Sequence, residues 1–435
     1  MNYLIKGGYV IYPEEGGCGV KKQDLYVING KVRYTAGNDK VDREIDCKGK
    51  IDMPGLVNAH HHIYSTLSKG IPCKVPFKDF LGNLENLWWT LDRALDKESV
   101  QLSTVLTMED CIKQGVTTVF DHHISTSYIR GSLKSMADIF ESFRIQGVLA
   151  FEMSDRNGKA IFEESLQENL EFARQQSGKS VQGMLGLHAS FTLSDESLHQ
   201  IAESSGELPI HIHVSEDILD TRETMDKYNL FIIERLKKHG LLRKNSLLVH
   251  CSNLTKSDWK KLHDEDIWIV QAVDSNQNNG LNVANIHDLT VRELRVTVGT
   301  DGMSSNIMKS FKNSYIFCKY QNGSADVGYS EMSGLLKNSY ALKQAYGYDL
   351  GILEDDAADL AIFDYVPATP FDSDSFLGHF IFGITESQAQ YVIKGDKILL
   401  DNYQVTLDPY ADLKERSEEI SKKLFERFIE LKEKN

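Results

Sequence analysis

Of 435 residues only six are cysteine, at positions 18, 47, 73, 111, 251 and 318, and no two stand in a C-x-x-C spacing. That excludes both a disulfide framework and a thiolate zinc site as organisers of the fold. No stretch is long and apolar enough to cross a membrane. The opening Met1-Asn2-Tyr3-Leu4-Ile5-Lys6 lacks the layout of a secretion signal, so a cytoplasmic protein is expected. Positive charge is also scarce: 48 Lys+Arg against 63 Asp+Glu leave a net charge of −15. Such a surface repels nucleic acid and anionic lipid, and a small molecule becomes the expected partner.

What is present is enough for a large core, since 41% of residues are hydrophobic. Residues 1 to 52 alternate short apolar runs with turns, including Asp24-Leu25-Tyr26-Val27-Ile28, the hairpin dipeptide Asn29-Gly30 and Lys31-Val32. The same grammar returns at Ala358 to Asp364, Tyr391-Val392-Ile393 and Lys397 to Leu400. About 50 residues make a thin core alone, so the two ends are expected to combine into one small β-sandwich.

Between them, strands alternate with helices. Eight strand units are read: the run ending at His62, then 117–121, 147–151, 183–188, 208–214, 246–250, 266–270 and 295–301. Helices are read over 88–114 and 159–176. This is the pattern of an α/β fold of the (β/α)8, TIM-barrel type. The expected division is 1–53 and 353–408 for the sandwich, 54–352 for the barrel, and 409–435 for an amphipathic C-terminal helix packed on the body.

Three histidines stand at the mouth of the first strand, in Leu56-Val57-Asn58-Ala59-His60-His61-His62. Alternate side chains of a strand share a face, so His60 and His62 point together and His61 points away. Two imidazoles on one face can reach one metal ion. His188, His213, His250 and Asp301 also lie at C-terminal strand ends, and in a barrel those ends converge on one face. Each has a plainer alternative: a hydrogen-bonded buried histidine for His188 and His250, a cap for Asp301, a helix-start acid for Glu216. His211 shares its strand face with His213, and His122 and His123, at the end of the second strand, either support the site residues from behind or are structural.

Four motifs in order carry a resemblance: Pro54-Gly55-Leu56-Val57-Asn58-Ala59-His60-His61-His62, His213-Val214-Ser215-Glu216, Val249-His250-Cys251 and Gly299-Thr300-Asp301. Together they resemble the amidohydrolase superfamily, in its branch of guanine, cytosine and S-adenosylhomocysteine deaminases and triazine hydrolases. Leu87-Trp88-Trp89, Ala189 to Glu196 and Gly378-His379 are similar to the SsnA-type aminohydrolases within it. The resemblance implies one divalent metal, zinc first with iron or manganese as alternatives, held by His60, His62, His213 and Asp301. Such an ion lowers the pKa of water from about 15.7 to about 7. It further implies that Asp301 takes a proton from the water, that Glu216 shuttles one to the leaving nitrogen, and that His250 orients the water or polarises the intermediate. His188 is implied to contact substrate. Trp88, near the first loop, either walls the pocket or packs in its helix.

One stretch departs from the pattern. Relatives carry His-Asn-Pro after the seventh strand, where this chain has Gln271-Ala272-Val273 ahead of Ser275-Asn276 and Asn278-Asn279. No lysine at the end of the fourth strand offers to bridge two metals, so a single ion is expected. The implied activity is hydrolytic deamination of a small cyclic amidine or purine- or pyrimidine-like compound. Hydrolysis of a ring amide, or a non-catalytic barrel serving as a binding subunit, are the alternatives. A symmetric homo-oligomer is the base-rate expectation.

Overall fold

Strands buried on both faces read as continuous apolar runs, and they gather at the centre of the molecule. The structure, a computed structural model, describes residues 1–14, 17–73 and 77–434. Its core is eight parallel strands: β1 (Leu56–His61), β2 (Val116–His123), β3 (Gln146–Met153), β4 (Leu185–Ala189), β5 (Ile210–Val214), β6 (Leu247–His250), β7 (Trp268–Gln271) and β8 (Val296–Val298). Each pairs with the next in chain order. All eight residues of β2 are buried, as a barrel strand enclosed by a ring of helices requires.

The ring closes between β1 and the segment after β8. The amides of Thr300 and Asp301 both donate to the carbonyl of His60 at 3.0 Å, and His61 bridges Asp301 in parallel register. Gly299 permits this approach, because a Cβ there would lie 2.7 Å from His60 atoms. The Asn58 side chain reinforces the seam, donating to Thr300 Oγ1 at 2.7 Å and accepting from the Thr300 amide at 3.1 Å.

The expected β4 unit is split at Met184. Val181–Gly183 pairs with β3 outside the ring, and only Leu185–Ala189 joins the barrel path. The helices expected over 88–114 are a π-helical turn (Leu84–Trp88), Trp89–Ala94 and Lys97–Lys113. Asp96 ends the second piece and starts the third through a capping box with Ser99, a signal of helix start that overrides the apolar run around it. The helix expected over 159–176 is present as Lys159–Gln176, burying Phe162, Leu166, Phe172 and Ala173.

The chain ends meet as expected in a seven-stranded sheet. Ile51–Pro54 lies between Tyr9–Glu14 on one side and Asp359–Phe363 on the other, with Ala389–Lys394 and Lys397–Asp401 beyond. A second, four-stranded sheet holds Tyr3–Lys6, Leu25–Ile28, Lys31–Arg33 and Arg43–Asp46. Gly55 joins sheet to barrel: a Cβ there would collide with Thr117 and Asp359 at 2.1 and 2.2 Å. Below the barrel, the buried Asp359 carboxylate pairs with the ammonium groups of Lys343, at 2.6 Å, and Lys394. The C-terminal helix Ser417–Glu433 packs on Trp89–Ala94, where Arg427 Nε donates to the Ala94 carbonyl at 2.7 Å. No helix among the described residues is long and apolar enough to cross a membrane.

Candidate active site

β1, β5, β6 and β8 each deliver their chemistry at the C-terminal end, and the barrel brings His60, His62, His213, His250, Glu216 and Asp301 together there. His61 faces away, 3.2 Å from Ser305 Oγ. The Nδ1 atoms of the inward histidines are all engaged: His62 with the His122 carbonyl at 2.7 Å, His213 with the His188 carbonyl at 2.8 Å, and His60 with His211 Nε2 at 2.8 Å. A carbonyl can only accept, so His62 and His213 carry their proton on Nδ1 and present a bare Nε2. Those two Nε2 atoms lie 3.1 Å apart. Two lone pairs facing each other at that distance repel unless a cation lies between them.

His60 Nε2 is buried without a hydrogen-bond partner. The tautomer in which His60 Nδ1 donates to His211 leaves that nitrogen bare as well. Asp301 completes the group, its Oδ1 standing 3.2 Å from His62 Nε2 and 3.7 Å from His60 Nε2. The residues therefore fit a divalent ion bound by imidazole and carboxylate. Burial holds the pKa of His60 well below the ordinary imidazole value and brings that of His213 down to about 3, so both stay neutral as metal binding needs. Burial raises that of Asp301, but the surrounding imidazoles of His60, His62 and His250 outweigh it and hold it well below the usual range.

Beyond this group, His250 Nδ1 meets Asn276 Oδ1 at 2.8 Å. Asn276 Nδ2 is spent on Ser252 Oγ and the Asn282 carbonyl, which fixes the amide orientation. His250 Nδ1 is consequently the donor and its Nε2 an acceptor, 3.5 Å from Glu216 and 3.7 Å from Asp301 Oδ2. Burial first, then the Asp301 charge, push the pKa of Glu216 well above the usual carboxylate value. His250, with φ of 67°, and Asp301, with φ of 54°, both adopt the left-handed backbone conformation. For residues bearing a side chain that costs about 1–3 kcal/mol each, a strain that collects at functional sites.

The group opens into a cleft lined also by Trp88, Trp89, His188 and Asn279. Residues 51–399 match the amidohydrolase family. The chain belongs to that family. A 5-methylthioadenosine/S-adenosylhomocysteine deaminase 2 of Archaeoglobus fulgidus is 29% identical over 309 residues, 67% of this chain and 72% of that one. A 5'-deoxyadenosine deaminase of Methanococcus vannielii is 26% identical over 409 residues, 89% of this chain and 93% of its own length. Among solved structures, an adenosine deaminase from Xanthomonas campestris with bound zinc superposes with a TM-score of 0.83 at 20% identity, covering 98% of both chains.

Within this amidohydrolase, the sequence-derived candidates all reach the site, and several partners were not legible beforehand. His211 sits behind His60, and the His122 carbonyl behind His62. Asn276 could have been found, since it lies in the Ser275-Asn276 pair that matches the family pattern. The departing Gln271 does not line the cleft; its Nε2 donates to the His250 carbonyl at 2.8 Å and steadies that left-handed residue.

Proposed function

We propose that this amidohydrolase is a metal-dependent hydrolytic deaminase of a small purine-like amine, with His60, His62, His213 and Asp301 as the metal ligands. The observation that carries this reading is the pair of bare Nε2 atoms of His62 and His213, 3.1 Å apart beside Asp301. A divalent ion there, zinc first among the candidates, supplies Lewis acidity that brings the pKa of water toward neutrality. His250 Nε2, an acceptor, orients the water by taking one of its hydrogen bonds. Asp301 Oδ2, on the side facing His250, receives the water proton. Glu216, whose carboxyl burial favours in the protonated form, delivers a proton to the substrate nitrogen; oxygen adds to the carbon, the C–N bond then breaks with loss of ammonia, and the proton held by Asp301 restores Glu216. His188 and Trp88 bound the space for the substrate ring. The named activities of the Archaeoglobus and Methanococcus relatives support an aminopurine as the class to try first.

The test is ammonia release by zinc-loaded protein from a panel of aminopurines and their nucleosides, beside Glu216→Gln. The expected result is ammonia from the wild type and a kcat lower by about 10²- to 10⁴-fold in the variant with its zinc retained. Ring opening without ammonia, or full activity in Glu216→Gln, would overturn the reading.

A further inference from the structure

Left-handed backbone at a residue with a side chain persists only where its surroundings hold it. Three such residues stand at the ends of β5 and β6: Ser215 with φ of 48°, His250 with 67° and Cys251 with 54°. One side chain ties the two loops together. Asn253 Nδ2 donates to the carbonyl of Ser215 at 3.1 Å and to that of Glu216 at 3.3 Å. Its Oδ1 accepts from Asn282 Nδ2 at 2.7 Å, which fixes the amide with its donors toward the Glu216 loop. Ser215 is anchored separately on its other side, its amide donating to Asp220 Oδ2 at 2.9 Å and its hydroxyl paired with that of Thr221 at 2.7 Å. Those anchors hold the amide side of the loop, and Asn253 holds the carbonyl side.

The same hydrogen bonds lead on to His250. Its Nδ1 donates to Asn276 Oδ1, Asn276 Nδ2 donates to the Asn282 carbonyl at 2.8 Å, and Asn282 donates through its side chain to Asn253. Every step runs in one direction, from the water-orienting histidine to the main chain of the proton donor. The two residues so joined stand 3.5 Å apart at their working ends, His250 Nε2 against Glu216 Oε2. The main-chain register of β5 with β6 ends at Val214 and His250, so the loop beyond is spaced by side chains. Proton delivery depends steeply on that spacing, because a misplacement of about 1 Å can cost about 100-fold in rate.

Resting on the deaminase reading, we propose that Asn253 is a positioning residue that holds the Glu216 carboxyl at the distance from His250 that proton delivery requires. Zinc-loaded Asn253→Ala is expected to keep its metal and a KM within about twofold of wild type, with kcat about 10- to 100-fold lower. The double variant Asn253→Ala, Glu216→Gln is expected within about twofold of Glu216→Gln alone, since a group that acts only through Glu216 then has nothing left to place. A merely structural role would multiply the two losses. Should Asn253→Ala fold poorly, Asn282→Ala frees the Asn253 amide to turn without touching the loop, and the same non-additive pattern is expected at a smaller loss. Full activity in Asn253→Ala, or losses that multiply, would overturn the proposal. Hydrogen exchange at residues 215–217 reads the placement directly and is expected to be at least about fivefold faster in Asn253→Ala, with the barrel strands unchanged. If the wild type releases no ammonia, the deaminase reading fails by itself, and this exchange still decides whether Asn253 holds the loop. Unchanged exchange there overturns the proposal.

Discussion

The two ends of the barrel bury charge in opposite ways. At the lower end, Asp359 stands between Lys343 and Lys394, opposite charges in contact. At the upper end, bare imidazole nitrogens face each other, His60 and His250 each keep an unpartnered Nε2, and two residues hold strained backbone. One end is arranged for stability and the other for a ligand the chain does not itself supply, the division expected of this architecture. Opposed lone pairs and left-handed backbone together mark the upper face.

The largest break in that comparison comes from His62→Ala. Metal content measured after zinc loading and desalting is expected to fall from about one equivalent to none, and ammonia release with it. Melting of the metal-free protein should move less than in Asp359→Ala. That second substitution leaves two buried ammonium groups facing each other and is expected to cost about 3–5 kcal/mol in denaturant unfolding, with kcat near wild type well below the melting point.

The lower end also has a pH signature. Burial lowers the Lys394 pKa from its ordinary 10.5 to about 8. Between those values the unfolded chain binds the proton and the folded chain has released it, so stability rises with pH across that window. The gain is up to about 3 kcal/mol. Urea midpoints at pH 8 and pH 10 should show the rise, and Lys394→Met should flatten this part of the profile. The smallest expected effect sharpens the upper end. His211→Ala removes only the group behind His60, so zinc should still bind, with an affinity weaker by about 10- to 100-fold in competition with a chelator.

Much of this contrast was readable from the chain. Alternation along β1 separates His61 from its neighbours, and strand-end placement gathers His213, His250 and Asp301 before any coordinates are known. The partners of those residues were hidden for a specific reason. Whether His211 lies behind His60 or beside it depends on the stagger between β1 and β5, and residue spacing within either strand does not encode that. Asp92 comes from the helix Trp89–Ala94 and meets Glu152 and Arg156 from the end of β3 in the cleft, and the three form no motif. Residues 88–114 read as helices, but the point at which one gives way to the next, the capping pair of Asp96 and Ser99, is local and leaves the apolar pattern around it unchanged.

The closing seam of the barrel sets the order in which the protein can become active. Asn58 and Thr300, 242 residues apart in the chain, share two hydrogen bonds beside His60. Contacts of such long range form late, because chain entropy must be spent before they return anything. A growing chain that stops short of Asp301 has its histidines but neither the closed ring nor the carboxylate. Competence therefore requires the closed seam, and the amide protons of Thr300 and Asp301 are the ones whose exchange would report its closure.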